Sequence, residues 1–310
     1  MSLYLVTGGA GFIGSHLCDA LIARGDTVRV LDDLSTGKRA NLPDGVELIV
    51  GDIADPAAAS QAAQGTAGCF HLAAIASVER GVKDWLGTHR ANLTGAISIF
   101  DTIQRLGTKA PVVYASSAAV YGDCQTIPVP ETAACEPLSA YGADKYGCEL
   151  HARVASHVHA IPTAGLRFFN VYGPRQDPKS PYSGVISIFC ERITSGMPVS
   201  IYGDGGQTRD FVYVGDVVAA MLAAMRLKPG NAPAFNVCTG QATSVLDLAH
   251  VIGDLAGKRP EIAHLPARAG EIRHSLGDRS LSQSVLGLGP TAALREGLAR
   301  LLNLAQASPC

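Results

Sequence analysis

The sequence predicts an α/β fold in which a parallel β-sheet carries helices on both faces. In the first half of the chain, short apolar runs alternate with longer segments of helix-type composition, and this rhythm implies parallel strands joined by helices. The helix-type segments are 12–24, 55–64 and 85–106. The runs that read as buried strands are LYLVTG (3–8), TVRVLD (27–32), VELIVGD (46–52), GCFHLAA (68–74) and PVVYASS (111–117).

The alternation of strand-like and helix-like segments ends after about residue 170. The segment NVYGPRQDPKSPYSG (170–184) is rich in Pro, Gly and Ser, and YGDGGQTRD (202–210) reads as a second irregular loop. Loops of this kind commonly handle ligands. We therefore expect a first domain at 1–170, joined by part of the segment 207–238, and a smaller α/β domain formed mainly by 171–310.

Composition and charge exclude several functional classes. The chain has 310 residues, 47% hydrophobic and 17% charged, with a formal net charge of −2, whereas a nucleic-acid partner calls for a basic surface. No apolar run reaches the roughly 18 uncharged residues of a membrane helix, and the start MSLYLVTGG has no basic region typical of a signal peptide. The cysteines form no CxxC pair, so we expect a reduced, cytoplasmic protein without a metal site.

A glycine-rich segment predicts a dinucleotide site. LVTGGAGFIGSHL (5–17) places Gly8, Gly11 and Gly14 between an apolar run and a predicted helix. Such a loop can turn tightly, approach a pyrophosphate closely and direct a helix N-terminus at its charge. Glycine alone is weak evidence, but the strand before it and the helix after it strengthen the pattern. The sheet is thus predicted to be doubly wound and of the Rossmann type.

The end of the second strand predicts which dinucleotide binds. Asp32, in VRVLDDLSTGK, can accept hydrogen bonds from the adenosine ribose and would repel a 2′-phosphate, which favours NAD over NADP. Lys38 and Arg39 lie nearby and could favour NADP, although loop cations are commonly just solvated. Asp52 either meets the adenine amine or serves as a helix N-cap. His71 is interpreted as a strand-end core histidine.

The segment SAYGADKYGCE (139–149) predicts an acid–base pair. Side chains four residues apart share a helix face and adjacent ones diverge, so Tyr141 rather than Tyr146 lies beside Lys145. A free tyrosine has a pKa of about 10, so a base near pH 7 needs roughly 4 kcal/mol of help. One cation about 5 Å away at an effective dielectric of about 20 supplies roughly 3 kcal/mol. The positive nicotinamide ring would be a second cation.

A serine upstream completes the predicted catalytic set. In ASSAAVYG, Ser117 ends a strand and can hydrogen-bond the substrate oxygen that Tyr141 deprotonates. Ser116 is the rival, and its position fits less well. The same YxxxK spacing also occurs on ordinary solvated helices, and it is the glycine-rich segment and the serine that favour catalysis.

These motifs together resemble the extended short-chain dehydrogenase/reductases, and most closely the UDP-glucose 4-epimerase type of nucleotide-sugar 4-epimerase. The resemblance runs over nearly the whole chain, through TGGAGFIGSHL, LDDLSTGKRANL, ASSAAVYG, SAYGADKYGCE, LRFFNVYGPRQ, GDGGQTRDFVYVGD and ARAGEIRHS. It implies that Ser117, Tyr141 and Lys145 are the catalytic triad. The positions it implies for NAD contacts, beside the three glycines and the triad, are Phe12, Ile13, Asp32, Asp33, Leu34, Ser35, Thr36, Gly37, Asp52, Ile53, Leu72, Ala73, Ala74, Ala76, Asn92 and Phe169.

The resemblance also implies a nucleotide-sugar site. Besides Ser117 and Tyr141, its positions are Asn170, Val185, Tyr202, Gln207, Arg209, Arg268, Glu271 and Ser275. Guanidinium groups suit a UDP diphosphate, although either arginine taken alone could form a surface ion pair. The family position at Ser275 controls the room around the sugar C2 substituent, and a serine there leaves N-acetylated hexoses open. Gly81 stands where the family commonly has serine.

The implied reaction is NAD-dependent 4-epimerisation of a UDP-hexose through a 4-keto intermediate. UDP-glucuronate 4-epimerisation or decarboxylation on the same scaffold is the alternative, and a non-catalytic NAD-binding regulator is a remote one. Dehydratases carry an Asp-Glu pair before VYG, where this chain has Ala118 and Ala119, so dehydration is not expected. The family also implies a homodimer, with segments 85–106 and 141–159 as candidate interfaces.

Overall fold

The computed structural model describes residues 1–76, 78–177, 184–227, 230, 232–268, 270 and 272–303. Its central feature is a seven-stranded sheet in the order β3-β2-β1-β4-β5-β6-β10, in which every neighbouring pair is parallel. The strands are β1 (Leu3–Thr7), β2 (Thr27–Asp32), β3 (Glu47–Val50), β4 (Gly68–His71), β5 (Val112–Ser117), β6 (Thr163–Phe168) and β10 (Ala234–Val237). The predicted doubly wound Rossmann-type sheet is confirmed, and β6 and β10 extend it beyond the five predicted strands.

Helices cover both faces of this sheet and bury two separate apolar cores. On one face, the core includes Leu17, Leu21, Val217 and Met221. On the other, it includes Ala59, Ile99 and Ala152. The helices concerned are α1 (Phe12–Ala23), α8 (Val214–Ala224) and α10 (Ser280–Leu286) on the first face, and α2 (Pro56–Ala63), α5 (Gly95–Leu106) and α6 (Ala140–His159) on the second.

Short helical segments lie between β4 and β5. They are α3 (Val78–Lys83), α4 (Trp85–His89) and a π-helical turn at Arg90–Thr94 that continues into α5. The predicted helix at 85–106 is therefore present as a chain of helical turns. Its middle turn is wider than an α-helix.

A smaller α/β part is built around the strand Thr208–Tyr213 and has its own apolar core, which includes Phe189, Ile201, Leu248 and Leu298. One sheet joins this strand, β9, to three others, and a second sheet pairs β8 with β12. The elements are β7 (Asn170–Tyr172), β8 (Val199–Tyr202), β11 (Ala242–Ser244), β12 (Ile262–Leu265), β13 (His274–Ser275), α7 (Val185–Thr194), α9 (Val245–Ala256) and α11 (Leu294–Leu301).

The two predicted loops are shorter than the sequence suggested. Residues 170–172 of the first form β7, and 208–210 of the second begin β9. Both strands pair with neighbours distant in sequence, which local composition does not reveal. Residues 178–183 of the first loop lie outside the described residues.

Two features bear on the expected environment of the chain. Within the part of the chain that the structure describes, no helix combines the length and apolar character needed to cross a membrane. The seven cysteines of that part are all free thiols.

Candidate active site

The glycine loop after β1 forms a cradle at the point where the strand order reverses, between β1 and β4. Gly8 has a φ of 69°, and a Cβ there would lie 2.7 Å from the backbone nitrogen of Ala73. A Cβ at Gly14 would lie 2.3 Å from the carbonyl oxygen of Gly8. At Gly11, by contrast, a Cβ would meet only that carbonyl oxygen, at 3.2 Å, and otherwise open space. The open position before α1 is where a pyrophosphate can approach the backbone.

Asp32 closes the cradle at the end of β2. Its Oδ2 accepts from the Ala10 backbone nitrogen at 2.9 Å, and its Oδ1 accepts from the Leu34 nitrogen at 2.8 Å. Burial raises the pKa of Asp32, and these backbone hydrogen bonds oppose the rise. Each carboxylate oxygen keeps a lone pair that a ribose hydroxyl can use. The site therefore fits NAD.

The side chain of Lys38 is exposed, as the sequence interpretation expected, and it also has a specific partner. Its Nζ lies 2.8 Å from Oδ2 of Asp177, which follows β7, and its backbone nitrogen donates to the carbonyl oxygen of Ala10. This partner is distant in sequence, so local composition could not reveal it.

Asp52 is not the N-cap of the helix that follows it. That role belongs to Asp55, whose carboxylate accepts from the Ala57 backbone nitrogen at 2.9 Å. Asp52 instead accepts from the Ala54 nitrogen at 2.8 Å and pairs with Arg90 at 2.9 Å. It lies half-exposed beyond the end of β3, so its contact with adenine stays a prediction.

The loop after β4 is held by two buried side chains. The hydroxyl of Thr7 lies 2.8 Å from Nδ1 of His71 and accepts from the backbone nitrogens of Leu72 and Ala73. Burial, with a smaller contribution from the charge of Lys145, lowers the pKa of His71 to about 3. The imidazole is therefore neutral and buried at the strand end, as the sequence interpretation expected.

The buried side chain of Asn92 also hydrogen-bonds the loop after β4. It is fully buried, its Oδ1 accepts from the Ile75 nitrogen at 2.7 Å, and its Nδ2 donates to the Ile75 carbonyl oxygen. The resemblance to the family implied a direct NAD contact for Asn92, and that contact stays a prediction. In the structure, Asn92 holds the backbone at Ile75.

The helix α6 presents Tyr141 and Lys145 on one face. Ser139 caps the helix by accepting from the Gly142 nitrogen at 3.1 Å. Lys145 is buried, and its Nζ lies 5.9 Å from the centroid of the Tyr141 ring. Tyr146 points elsewhere and packs against a separate apolar cluster. The i,i+4 geometry predicted from the spacing is confirmed.

The two serines at the end of β5 differ in what their hydroxyls can do. Ser117 accepts from the Ala119 nitrogen at 3.1 Å, which leaves its proton for a substrate oxygen. Ser116 is buried and donates its proton to Glu149 at 2.6 Å. Ser117 therefore has the available hydroxyl. Phe168 lies opposite Ser117 in the sheet, which brings Phe169 to the same edge.

The predicted nucleotide-sugar positions gather around β8 and β9. The guanidinium carbon of Arg268 lies 3.8 Å above the ring centroid of Tyr202, and Gln207 donates to the Tyr202 carbonyl oxygen at 3.0 Å. Ser275 is the sheet partner of Arg209.

The other members of the set lie close by, with one exception. Asn170 pairs with Phe211 on β9 and is exposed, and Val185 begins α7. Glu271 lies outside the described residues.

Sequence reasoning missed a buried ion pair beneath the predicted catalytic face. Glu149 and Arg167 are both buried and bind each other through two hydrogen bonds. One signal was available, because Glu149 stands one helical turn after Lys145. Its partner, on β6, has no local signature.

Fold and cradle together define an NAD-binding protein of the extended short-chain dehydrogenase/reductase type. The chain belongs to the NAD dependent epimerase/dehydratase family, whose model matches residues 4–238. NAD is accordingly its cofactor, and the acid, glycine and backbone groups described above fit that molecule.

Three relatives illustrate the similarity. A putative UDP-glucose 4-epimerase of Methanocaldococcus jannaschii is 38% identical over 302 residues, which cover 97% of each chain. The crystal structure of UDP-glucose 4-epimerase from Thermotoga maritima with UDP-glucose matches with a TM-score of 0.93 and 37% identity over 97% of each chain. A UDP-N-acetylglucosamine 4-epimerase from Methanobrevibacter ruminantium, in complex with UDP-N-acetylmuramic acid, matches with a TM-score of 0.92 and 34% identity over 97% of each chain.

Proposed function

We propose that the protein catalyses the NAD-dependent 4-epimerisation of a UDP-hexose, with UDP-glucose and UDP-galactose as the first pair to test and the N-acetylated pair as the second. The observation that carries the proposal is the shared face of Tyr141 and Lys145, together with a Ser117 hydroxyl that accepts from Ala119 and keeps its proton for a substrate oxygen. The chain is similar to UDP-glucose 4-epimerases along nearly its whole length, which supports this substrate class.

The three side chains divide the proton chemistry of the reaction. The phenolate of Tyr141 takes the proton of the sugar 4-hydroxyl and later returns it to the 4-oxygen. Ser117 donates a hydrogen bond to that oxygen and orients it. Lys145 is buried, so its positive charge stabilises the phenolate more strongly than an exposed cation would. Bound NAD supplies hydride-transfer chemistry at C4 of the sugar.

Epimerisation requires the 4-keto sugar to turn inside the site between the two hydride transfers. The sugar ring must move while the nucleotide stays bound, so the nucleotide needs strong anchors. We propose that Arg209 and Arg268 bind the diphosphate, whose oxygens match guanidinium groups in geometry and charge. Tyr202 and Gln207 complete this anchor, and Asn170, Val185, Glu271 and Ser275 surround the rest of the nucleotide sugar.

The domain division follows from these roles. We propose that residues 1–170, joined by part of 207–238, bind NAD, and that 171–310 mainly bind the sugar nucleotide. The position of β10 in the seven-stranded sheet supports this return of the chain to the first domain.

The test replaces each of the two tyrosines of α6 by phenylalanine. Tyr141→Phe removes the proposed base and should lower kcat by about 10² or more while UDP-sugar binding is retained. Tyr146→Phe removes a hydroxyl from the second tyrosine of α6, which packs against an apolar cluster, and should keep near-normal turnover. Equal activity of the two variants would refute the assignment.

A substrate panel then names the sugar. Purified protein is incubated with UDP-glucose, UDP-N-acetylglucosamine, UDP-glucuronate or UDP-xylose, and the C4 epimer is read by NMR. Product from UDP-glucuronate alone, as its epimer or as UDP-xylose, would favour the alternative reactions. If none of the four substrates gives a product, the result would favour the remaining alternative, a non-catalytic NAD-binding regulator.

We also propose that the protein is a homodimer joined through α5 and α6. Leu150, Val154 and Val158 form an apolar stripe at i, i+4 and i+8 along α6, and they are 43%, 50% and 63% exposed. Such a stripe beside α5 suits a second copy of the same surface. Val154→Glu should convert dimer to monomer in light scattering. The control is Val50→Glu, at an exposed site on β3, which should leave the oligomeric state unchanged.

A further inference from the structure

A buried ion pair lies beneath the helix that carries Tyr141 and Lys145. Glu149 and Arg167 are each only 6% exposed, and Nε and Nη2 of Arg167 donate to the two carboxylate oxygens of Glu149 at 2.9 and 2.7 Å. Ser116 donates to the same carboxylate at 2.6 Å. One carboxylate thus joins α6 to the ends of β5 and β6.

The network continues beyond Arg167 to Tyr121 and from there to Asn236 on β10. Nη1 of Arg167 donates to the Tyr121 hydroxyl at 2.8 Å and to the Glu131 carbonyl oxygen at 3.0 Å. Burial raises the pKa of Tyr121, which therefore stays protonated and donates to Oδ1 of Asn236 at 2.6 Å. Asn236 in turn donates to the Val129 carbonyl oxygen at 2.8 Å. A chain of satisfied polar groups therefore crosses the carboxyl edge of the sheet from β5 to β10.

Stability alone is a poor explanation for such a network. A buried ion pair is often no more stabilising than apolar side chains of the same size, because desolvation offsets the attraction between the charges. A fully satisfied polar network does, however, hold its members in one arrangement. Its effect is therefore expected in the placement of the groups attached to it.

The attached groups are those of the proposed reaction. Ser116 immediately precedes Ser117, while Glu149 stands one helical turn after Lys145 and two turns after Tyr141. In the described part of the chain, Glu149 forms its ion pair with Arg167 and not with Lys145. The ammonium of Lys145 therefore stays available on the side of the Tyr141 ring.

We propose that Glu149 is a positioning residue of the reaction, which holds the Ser117 hydroxyl at its working distance from the Tyr141 phenol through the hydrogen bond from Ser116. The proposal rests on the proposed function, because it assigns a task to a group that supports the same site. A displacement of about 1 Å in such a site can lower the rate by up to about 10². The loss should fall on kcat, because neither Glu149 nor Ser116 is assigned to NAD or UDP-sugar binding.

The test compares two serines that are equally buried. Ser116→Ala removes the link between Glu149 and β5 and should lower kcat about 10-fold, with KM for the UDP-sugar and the NAD content unchanged. Ser282→Ala is the matched control, because Ser282 is also buried and donates one hydrogen bond, to the Arg279 carbonyl oxygen at 3.0 Å at the start of α10, without taking part in the hydrogen bonds of Glu149. The Ser282→Ala variant should lose about as much free energy of unfolding as Ser116→Ala, and it should keep the wild-type kcat.

A second variant reports on the carboxylate itself. Glu149→Gln keeps the size of the side chain and an acceptor for Ser116, but it places an amide donor against one nitrogen of Arg167. We expect a reduced kcat with retained NAD. If both Ser116→Ala and Glu149→Gln turn over like Ser282→Ala while Tyr141→Phe is inactive, the positioning role is wrong and the proposed function stands. If the wild-type protein shows no epimerisation, the proposed function is wrong, and the positioning role that depends on it is wrong as well.

Discussion

Replacing His71 by asparagine should flatten the dependence of stability on acid pH. His71 is fully buried at the end of β4, with Nδ1 2.8 Å from the Thr7 hydroxyl. Burial and the nearby charge of Lys145 lower its pKa from 6.5 to about 3. Between pH 6.5 and about pH 3, His71 is protonated in the unfolded chain and neutral in the folded chain. Above pH 6.5 His71 therefore does not lower the free energy of unfolding, and below pH 6.5 the free energy of unfolding decreases as the pH falls.

The expected size follows from the difference between the two pKa values. Each pH unit below the unfolded value lowers the free energy of unfolding by about 1.4 kcal/mol. The loss is therefore about 2 kcal/mol at pH 5, and it approaches about 5 kcal/mol near pH 3, where His71 protonates in the folded state. Asparagine removes this titration and can still accept from Thr7.

The assay is urea unfolding at pH 7.5 and pH 5.0, with NAD in the same excess throughout. His71→Asn lowers stability at pH 7.5 by about 1–3 kcal/mol, because it leaves space in a packed region. The change between the two pH values should, however, be about 2 kcal/mol smaller than in the wild type. His250→Asn, at an exposed position of α9, is the control and should keep the wild-type change. An unaltered pH dependence in His71→Asn would refute the buried, neutral imidazole.

Three further substitutions test the glycine cradle and the turn that follows β10. Gly11→Ala should raise the Kd for NAD at least about 10-fold, measured by calorimetry, with little change in the melting temperature without NAD, because the methyl enters open space that the pyrophosphate needs. Asp32→Ala should weaken NAD binding and reduce the preference over NADP, since the carboxylate that repels a 2′-phosphate is gone; competition between the two cofactors measures this. Asp210→Asn should lower the free energy of unfolding by about 1–3 kcal/mol in urea, because buried Asp210 accepts from the backbone nitrogens of Thr239 and Gly240 and an amide would oppose one of them.

Elements with a strong local pattern were predictable from the sequence, and elements that depend on remote partners were not. The first five strands and the helix after the glycine loop are present within a few residues of their predicted ends. In contrast, β10 completes the sheet by pairing with β6, although the 65 residues 169–233 separate the two strands. The same limit explains Asp52, where two acids three residues apart compete for one helix N-terminus and only the folded backbone selects Asp55.

In the candidate site, spacing along the chain was enough to predict the cradle, the acid at the end of β2 and the common face of Tyr141 and Lys145. Those features depend on helical and strand periodicity, which a few neighbouring residues specify. Only the folded chain reveals that Glu149 binds Arg167 and that Lys38 binds Asp177. A charged side chain has many possible partners in a sequence, and the choice among them depends on which elements the packed core brings within hydrogen-bond distance.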